Sequence, residues 1–533
     1  MARSFIALLL VAFAYNSNAQ SSPPVIDLGY ASYQGSFDST NNVTNFLGIR
    51  YASPPLGNLR FRAPQPPANV SGIQQARTFS PTCLQTSRGG SPTNPFSNKT
   101  ATSKRQAGGS SEDCLFLNVY FPGSAVPKKG LPTIVWIHGG GYVGGGASSF
   151  PGSDLIKGAN NGVVVVTIQY RLGLFGFLAG TKVKENGDLN AGLLDQHLAL
   201  RWVHDHISKF GGDPTQVTIW GQSAGAGSVL QHVIAQDGRT FPPLFRAAIT
   251  SSTFLPPQYK YNDRIPEAVY NEVVDRTNCG SDSDTLSCLR KANTNALETA
   301  NTQIAPSAFF GTYLFDPVVD GTFITQRATQ ALREFKVNGQ AYLAITNTNE
   351  GVSFVDQSTG PTVNTTVYAG QLFPNFELEQ QQEAARLYAG LGTPLDQVNR
   401  MMGEAIFICP TYYVLDAFPL RSFKGEFAVP PALHGTDATY IWPSLGTPGF
   451  RNADFIKAFS QGFLAFAMSL DPNIKYDRTN ILPRWDRYTL GRPEMIFNRT
   501  EDGTAPDLHE KSTDSGLLER CRFWQSVGAL TGQ

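Results

Sequence analysis

Short apolar runs rich in β-branched residues recur along the chain, each bounded by polar or glycine-containing stretches. Pro132-Thr133-Ile134-Val135-Trp136-Ile137-His138 and Gly162 to Ile168 are the clearest; Gln216 to Trp220, Arg246 to Thr250 and Ala341 to Ile345 are shorter. Unbroken apolar runs of this length suit strands buried on both faces, as in a parallel sheet covered by helices. Between them the spacing changes. Leu193, Leu194, His197, Leu198, Leu200, Arg201, Trp202 and Ile207 mark a long helix with an apolar stripe, and further helices are predicted at 376–390, 403–417, 453–469 and 516–528. Strands alternating with helices predict an open, mostly parallel α/β sheet, and no internal repeat interrupts it. Residues 85–113 stand apart: almost all are polar and small, Phe96 is the one large apolar side chain, and a cysteine adjoins each end. They read as a polar flap, not as a linker between domains.

Composition narrows the class. With 41% hydrophobic and 11% aromatic residues in 533, the chain can fill a large core. The 42 basic and 42 acidic side chains cancel, leaving no field to hold nucleic acid or an anionic membrane. Arg3, the short apolar run from Phe5 to Ala14 and the small residues of Ser17-Asn18-Ala19 predict a signal peptide, residues 1–19, cleaved after Ala19. Residues 20–533 then form a single secreted domain, with no stable membrane anchor and no later run near the roughly 18 apolar residues of a spanning helix. Two features agree with an extracellular address. Sequons at Asn42, Asn69, Asn98, Asn364 and Asn498 lie in polar, turn-like stretches. The six cysteines include no CxxC pair, and oxidising conditions favour disulfides. Cys279 and Cys288 are spaced for a short local loop, and Cys83 and Cys114 flank the long polar one. Cys409 and Cys521 remain, either as a third pair or as two buried thiols.

Gly221-Gln222-Ser223-Ala224-Gly225 follows the strand predicted to end at Trp220 and precedes a helix-compatible run to Ile234. Alone it would be an ordinary glycine-rich turn. Between a strand and a helix it predicts a nucleophile elbow, whose small residues let the backbone turn sharply and lift the serine oxygen above the sheet. His138-Gly139-Gly140-Gly141-Tyr142 ends another predicted strand. Beside an elbow, it fits a loop whose backbone N–H groups, with that of Ala224, face a developing oxyanion. Seven histidines are candidates for the base: His138, His197, His204, His206, His232, His434 and His509. In such a fold the base follows the serine along the chain. Of the three that do, His232 is too near in sequence to reach over Ser223, and His509 sits in a solvated run. His434 is left. For the acid, Glu350 lies just past the strand at 341–345, on a loop suited to orienting an imidazole. Asp320 and Asp437 are rivals that would equally serve to cap turns.

These residues carry a resemblance. Phe210-Gly211-Gly212-Asp213-Pro214 with Val217 to Gly225, Glu112-Asp113-Cys114-Leu115-Phe116-Leu117-Asn118-Val119, Tyr170-Arg171-Leu172-Gly173 and Asn190 to Gln196 resemble the signatures of the type-B carboxylesterase/lipase family, which includes cholinesterases and fungal secreted lipases. Phe116 stands where Tyr or Thr is usual. The matches run from Leu47 to the last predicted helix. The resemblance implies an α/β-hydrolase fold, a triad of Ser223, Glu350 and His434, and an oxyanion hole of Gly140, Gly141 and Ala224. It also implies disulfides Cys83–Cys114, Cys279–Cys288 and, as in cholinesterases, Cys409–Cys521. No metal or organic cofactor is implied, and the partner is a small-molecule or lipid ester; nothing marks an oligomeric state. Departures narrow the substrate. Residues 84–113 contain no tryptophan to hold a quaternary ammonium, and neutral Gln222 stands where cholinesterases have Glu, which argues against choline esters. The same loop has only Phe96 to meet lipid, so strong interfacial activation is not expected. Phe309, Phe310, Phe354, Met401, Met402 and Phe407 are candidates for an acyl pocket or for ordinary core. Lys104-Arg105 reads as an exposed basic pair before it reads as a cleavage site. Ester hydrolysis is the expected activity, with short-chain carboxylic esters, acylglycerols, sterol esters and hydroxycinnamate esters all left open, ahead of amide hydrolysis or a non-catalytic binding role on the same fold.

Overall fold

The apolar runs become strands because each can be covered on both sides. The computed structural model describes residues 23–98, 110–360 and 362–533. The expected leader with its cleavage point, Lys104-Arg105 and the side chain of Asn98 lie outside the described residues. Eleven strands form one sheet: β1 (Ser36–Asp38), β2 (Val43–Arg50), β3 (Phe116–Pro122), β4 (Leu131–Ile137), β5 (Val164–Ile168), β6 (Gly212–Gln222), β7 (Ala247–Ser251), β8 (Ala341–Asn347), β9 (Ser422–Phe427), β10 (Pro493–Arg499) and β11 (Pro506–Ser512). Their spatial order is β11-β10-β9-β8-β7-β6-β4-β5-β3-β2-β1. The middle of the sheet, from β10 to β5, is parallel, and both edges are antiparallel.

Alternation along each strand splits the core into two layers. On β4, Val135 and Ile137 join one apolar cluster, and Ile134 and Trp136 join the other. The first layer includes residues of α1 (Ala191–His206) and α2 (Ala224–Ile234). The second is filled largely by phenylalanines of the helix at Ala453–Ser469, with Phe455, Phe459 and Phe463 fully buried.

Boundaries differ from expectation where backbone chemistry intervenes. The helix expected at 403–417 starts earlier, at Thr393, whose side chain closes a capping box with Asp396 over Pro394–Gly403. It then passes through a π-turn at Glu404–Ile408 before resuming at Cys409–Ala417. Pro410 has no N–H to give the residue four positions back, and the wider turn lies immediately before it. The helices expected at 376–390 and 516–528 are shorter, at Leu378–Tyr388 and Ser515–Ser526.

Disulfides and ion pairs tie segments of the chain to one another. Disulfides join Cys83–Cys114, Cys279–Cys288 and Cys409–Cys521, so the alternative of two buried thiols is excluded. The Glu112-Asp113-Cys114 motif is an anchor: Glu112 pairs with buried Arg60, Asp113 with Arg50 at 2.7 Å, and Cys114 with Cys83. The first part of the polar flap is not free in solvent either. Gly89 and Ser91 exchange backbone hydrogen bonds with residues 308–312, including Gly89 N–H to Thr312 O at 2.8 Å and Phe310 N–H to Ser91 O at 2.8 Å.

Arg171 and Asp195 form a nearly inaccessible ion pair. Arg171 Nε donates to Asp195 Oδ2 at 2.8 Å, and its Nη2 to Oδ1 at 2.7 Å. Removing one member strands a buried charge, at a cost of about 3–5 kcal/mol. Asp195→Ala is expected to lower the thermal midpoint sharply. Arg484→Ala, which breaks the solvent-exposed Arg484–Asp486 pair, is expected to leave it nearly unchanged; scanning calorimetry on both variants measures the contrast.

Candidate active site

The site is assembled where β4, β6, β8 and β9 end on the same side of the sheet. Between β6 and α2, Ser223 occupies φ 58°, ψ −127°, a conformation that costs a non-glycine residue about 1–3 kcal/mol. Neighbours hold it there. Ser223 N–H donates to Ser251 O at the end of β7 (3.0 Å), and Gly227 N–H to Ser223 O (2.8 Å). The turn depends on close approach: a Cβ on Gly225 would lie 2.0 Å from Ile137 O, so only glycine lets α2 pack on the end of β4. Ser223 is 8% exposed.

Glu350 begins a short 3₁₀ turn just past β8. Asn347 N–H donates to its Oε1 at 2.7 Å, and its Oε2 meets His434 Nδ1 at 2.5 Å. The carboxylate is wholly buried and the imidazole nearly so. Their two loops are stitched together beyond β8 and β9. Thr348 N–H donates to Phe427 O, Asn349 N–H to Ala432 O, and the Asn349 side chain to Pro431 O. With Nδ1–H directed at the carboxylate, Nε2 is an acceptor, and the Gln222 side-chain amide meets it at 3.3 Å. The imidazole edge thus faces the residue immediately before Ser223. Phe407 and Phe354 pack on the ring, with centroids at 4.5 and 5.0 Å.

The glycine loop after β4 completes the group. A Cβ on Gly139 would lie 3.0 Å from Ser223 Cβ, which puts this loop against the elbow. Gly141 has φ +64°, and a Cβ there would fall 2.0 Å from the Tyr313 ring. Gly140 O accepts from Val143 and Gly144 N–H, and Tyr142 O from Gly173 N–H, which fixes the loop's shape.

The rival residues have other work. Asp320 Oδ1 accepts from the backbone N–H groups of Thr322, Phe323 and Ile324, and its Oδ2 from Asn190. It caps a turn. Asp437 bonds the side chain of Asn347 at 3.0 Å, while its Oδ2 has no partner among the described residues. His138 is buried on Tyr170, and burial lowers it to about 4; His232, lowered to about 3 for the same reason, bonds Gln196. His509 pairs with Asp507 on the surface.

Of the six expected pocket residues, Phe354 and Phe407 reach the imidazole, Met401 and Met402 are core, Phe310 lies under Arg88, and Phe309 packs on Tyr368. Phe254 and Tyr313, which extend the aromatic wall from Phe407 to the glycine loop, were not expected. They come from separate segments and share no spacing that a sequence pattern could reveal. Cys279, Asp282 and Cys288 lie close together, but both sulfurs are in a disulfide and offer no thiolate to a metal.

The chain is similar to known proteins over most of its length. A family model described as the carboxylesterase family matches residues 22–524. Lipase 4 of Diutina rugosa is 33% identical over 492 residues, spanning 83% of this chain and 86% of that protein. Carboxylesterase patB of Aspergillus clavatus is 30% identical and spans 98% of this chain and 99% of its own length. Among solved structures, Aspergillus niger EstA superposes with a TM-score of 0.83 at 30% identity, covering 96% of this chain and 99% of that one. A PNB esterase gives 0.74 at 25%, covering 93% and 99%.

Asp437 supplies a test of the polar layer behind the imidazole. Burial, with a smaller push from Glu350, raises it to about 6, against Asn347 and His434, which lower it. The folded chain therefore keeps a proton that the unfolded chain has released, and stability is lost as pH rises from about 4 to 6. In Asp437→Asn this loss is absent. The variant's thermal midpoint relative to the parent is expected to improve across that interval and to stay level above it, as read by melting curves at pH 4, 5, 6 and 7.

Proposed function

The chain belongs to the carboxylesterase family and is a carboxylic ester hydrolase of the α/β-hydrolase fold, and from that premise we propose that it is a secreted serine esterase working through Ser223, His434 and Glu350. The observation that carries this reading is the 2.5 Å contact from His434 Nδ1 to buried Glu350, with Nε2 turned to the elbow. Ser223 Oγ attacks the ester carbonyl as His434 Nε2 takes its proton, and the carbon–oxygen π pair moves onto the carbonyl oxygen. That oxyanion is met by the N–H groups of Gly140, Gly141 and Ala224, which stabilise the charge that develops in the transition state and is full in the tetrahedral intermediate. Collapse expels the alkoxide, which receives the proton from Nε2, and leaves an acyl-serine. Water then repeats the sequence and releases the acid. Glu350 keeps Nδ1 protonated and stabilises the imidazolium formed in each half.

The leader, the sequons and the three disulfides support an extracellular address. Asn42, Asn69 and Asn364 are exposed and open to a glycan, whereas Asn498 is half-buried. Within ester hydrolases we favour soluble esters over a lipid surface. Phe96, the flap's one large apolar side chain, is half-buried and lines an internal cavity, and the start of the flap is tied down at residues 308–312.

On 4-nitrophenyl esters from acetate to palmitate, kcat/KM is expected to peak at short chains, with Ser223→Ala lower by at least about 10⁴-fold. A maximum at palmitate would instead favour the lipase reading. Glu350→Gln, which cannot stabilise the imidazolium, is expected to lower kcat by about 10³–10⁴-fold with little change in the melting temperature.

A further inference from the structure

Beyond Tyr313, whose ring lies against Gly141, is a cavity of about 60 Å³ walled by Phe96, Phe177, Phe309 and Leu314. Its polar side chains are Asn94, Tyr259, Thr312, Tyr313 and Asp316, and two of them, Asp316 and Tyr259, carry an unsatisfied atom. Asp316 is 8% exposed and Tyr259 is 9% exposed. Asp316 Oδ1 and Tyr259 Oη each lack a hydrogen-bond partner among the described residues. Neither group is used in the mechanism above. An unpaired buried carboxyl and an unpaired buried phenol facing the same small space are costly to keep, so their retention calls for a guest that bonds to them.

The chemistry of the walls selects the guest. Asp316 has no ion partner among the described residues, and burial alone holds its carboxyl well above the usual carboxylate range. Burial thus favours the protonated form, which can both donate and accept. A neutral hydroxyl complements such a group, whereas a cation would have to form an isolated ion pair among aromatic rings. Size sets the rest. A water needs roughly 10–15 Å³ by this measure, and benzene has been held in a cavity of about 150 Å³. Some 60 Å³ suits a short hydroxyalkyl terminus better than an aryl or sugar ring.

We propose that this cavity is a specificity subsite for esters carrying a hydroxyl on a flexible chain remote from the scissile bond, the hydroxyl bridging Asp316 and Tyr259. The proposal rests on the ester-hydrolase reading and deepens it. Tyr313 borders both the glycine loop and the cavity, so a chain filling the subsite would have to pass the edge of its ring.

Four matched pairs test it. Ethyl 6-hydroxyhexanoate and ethyl 8-hydroxyoctanoate probe the acyl half, 4-hydroxybutyl and 6-hydroxyhexyl acetate the alcohol half, each beside its deoxy parent. At least one hydroxylated ester is expected to exceed its parent in kcat/KM by about tenfold or more. In Asp316→Leu that ratio is expected to fall by about tenfold, while Asp316→Asn, which still donates and accepts, keeps it within about threefold. Should Asp316→Leu not fold, Tyr259→Phe, which keeps the ring and loses only the hydroxyl, is expected to lower the same ratio. Equal rates within all four pairs in the wild type, or ratios that Asp316→Leu and Tyr259→Phe leave unchanged, overturn the proposal; a cavity that only shelters a water gives that result. Failure to hydrolyse the deoxy parents would instead count against the ester-hydrolase reading itself.

Discussion

The parallel pairing of β8 with β9, Tyr342 against Ser422 through to Asn347 against Phe427, sets where two distant loops emerge. Beyond it, three hydrogen bonds from residues 348 and 349 to residues 427–432 lock those loops together, and Glu350 arrives against His434 as a consequence. A register shift of one residue would turn every side chain on one of these strands to the opposite face and separate the pair. Both strands are largely buried, and such a shift would also pull Lys424 and Glu426 of β9 from their bonds to Thr346 and Thr348. The rigidity of the pair is thus a property of the sheet.

Ser223 illustrates the complementary constraint. Its backbone is strained, and the strain is held by hydrogen bonds from β7 and α2 and by the absence of a Cβ at Gly225. Burial of the surrounding strands supplies the stabilisation against which a few kcal/mol of local strain persists. Behind the imidazole, Asn347 links Asp437 to the end of β8, so the layer supporting the pair is polar but incompletely satisfied.

Much of this was legible in the sequence. The apolar runs at 132–138 and 341–345 are strands because continuous apolar stretches have no alternative but burial. The glycines around Ser223 and at 139–141 announce backbone close approach, and elimination among seven histidines leads to His434. Less was legible where structure depends on remote packing. Phe254 and Tyr313 reach the site from separate segments, and only the folded chain brings them next to Phe407 and Gly141. Met401 and Met402 have the composition of pocket residues, yet they are buried in the core. The flap reads as solvent-exposed because its side chains are polar, but its backbone at Gly89 and Ser91 pairs with residues 308–312, which side-chain character cannot signal. Asp316 stands alone among apolar neighbours from Tyr313 to Val319 and belongs to no motif, so only the fold places it against Tyr259 in one cavity.

Covalent trapping of the nucleophile tests the central claim most directly. Intact-mass and peptide mapping after treatment with a fluorophosphonate should find one adduct per chain, on the peptide containing Ser223, with labelling and loss of esterase activity proceeding in parallel. Complete inactivation with the adduct elsewhere, or esterase activity surviving full occupancy of Ser223, would contradict the account.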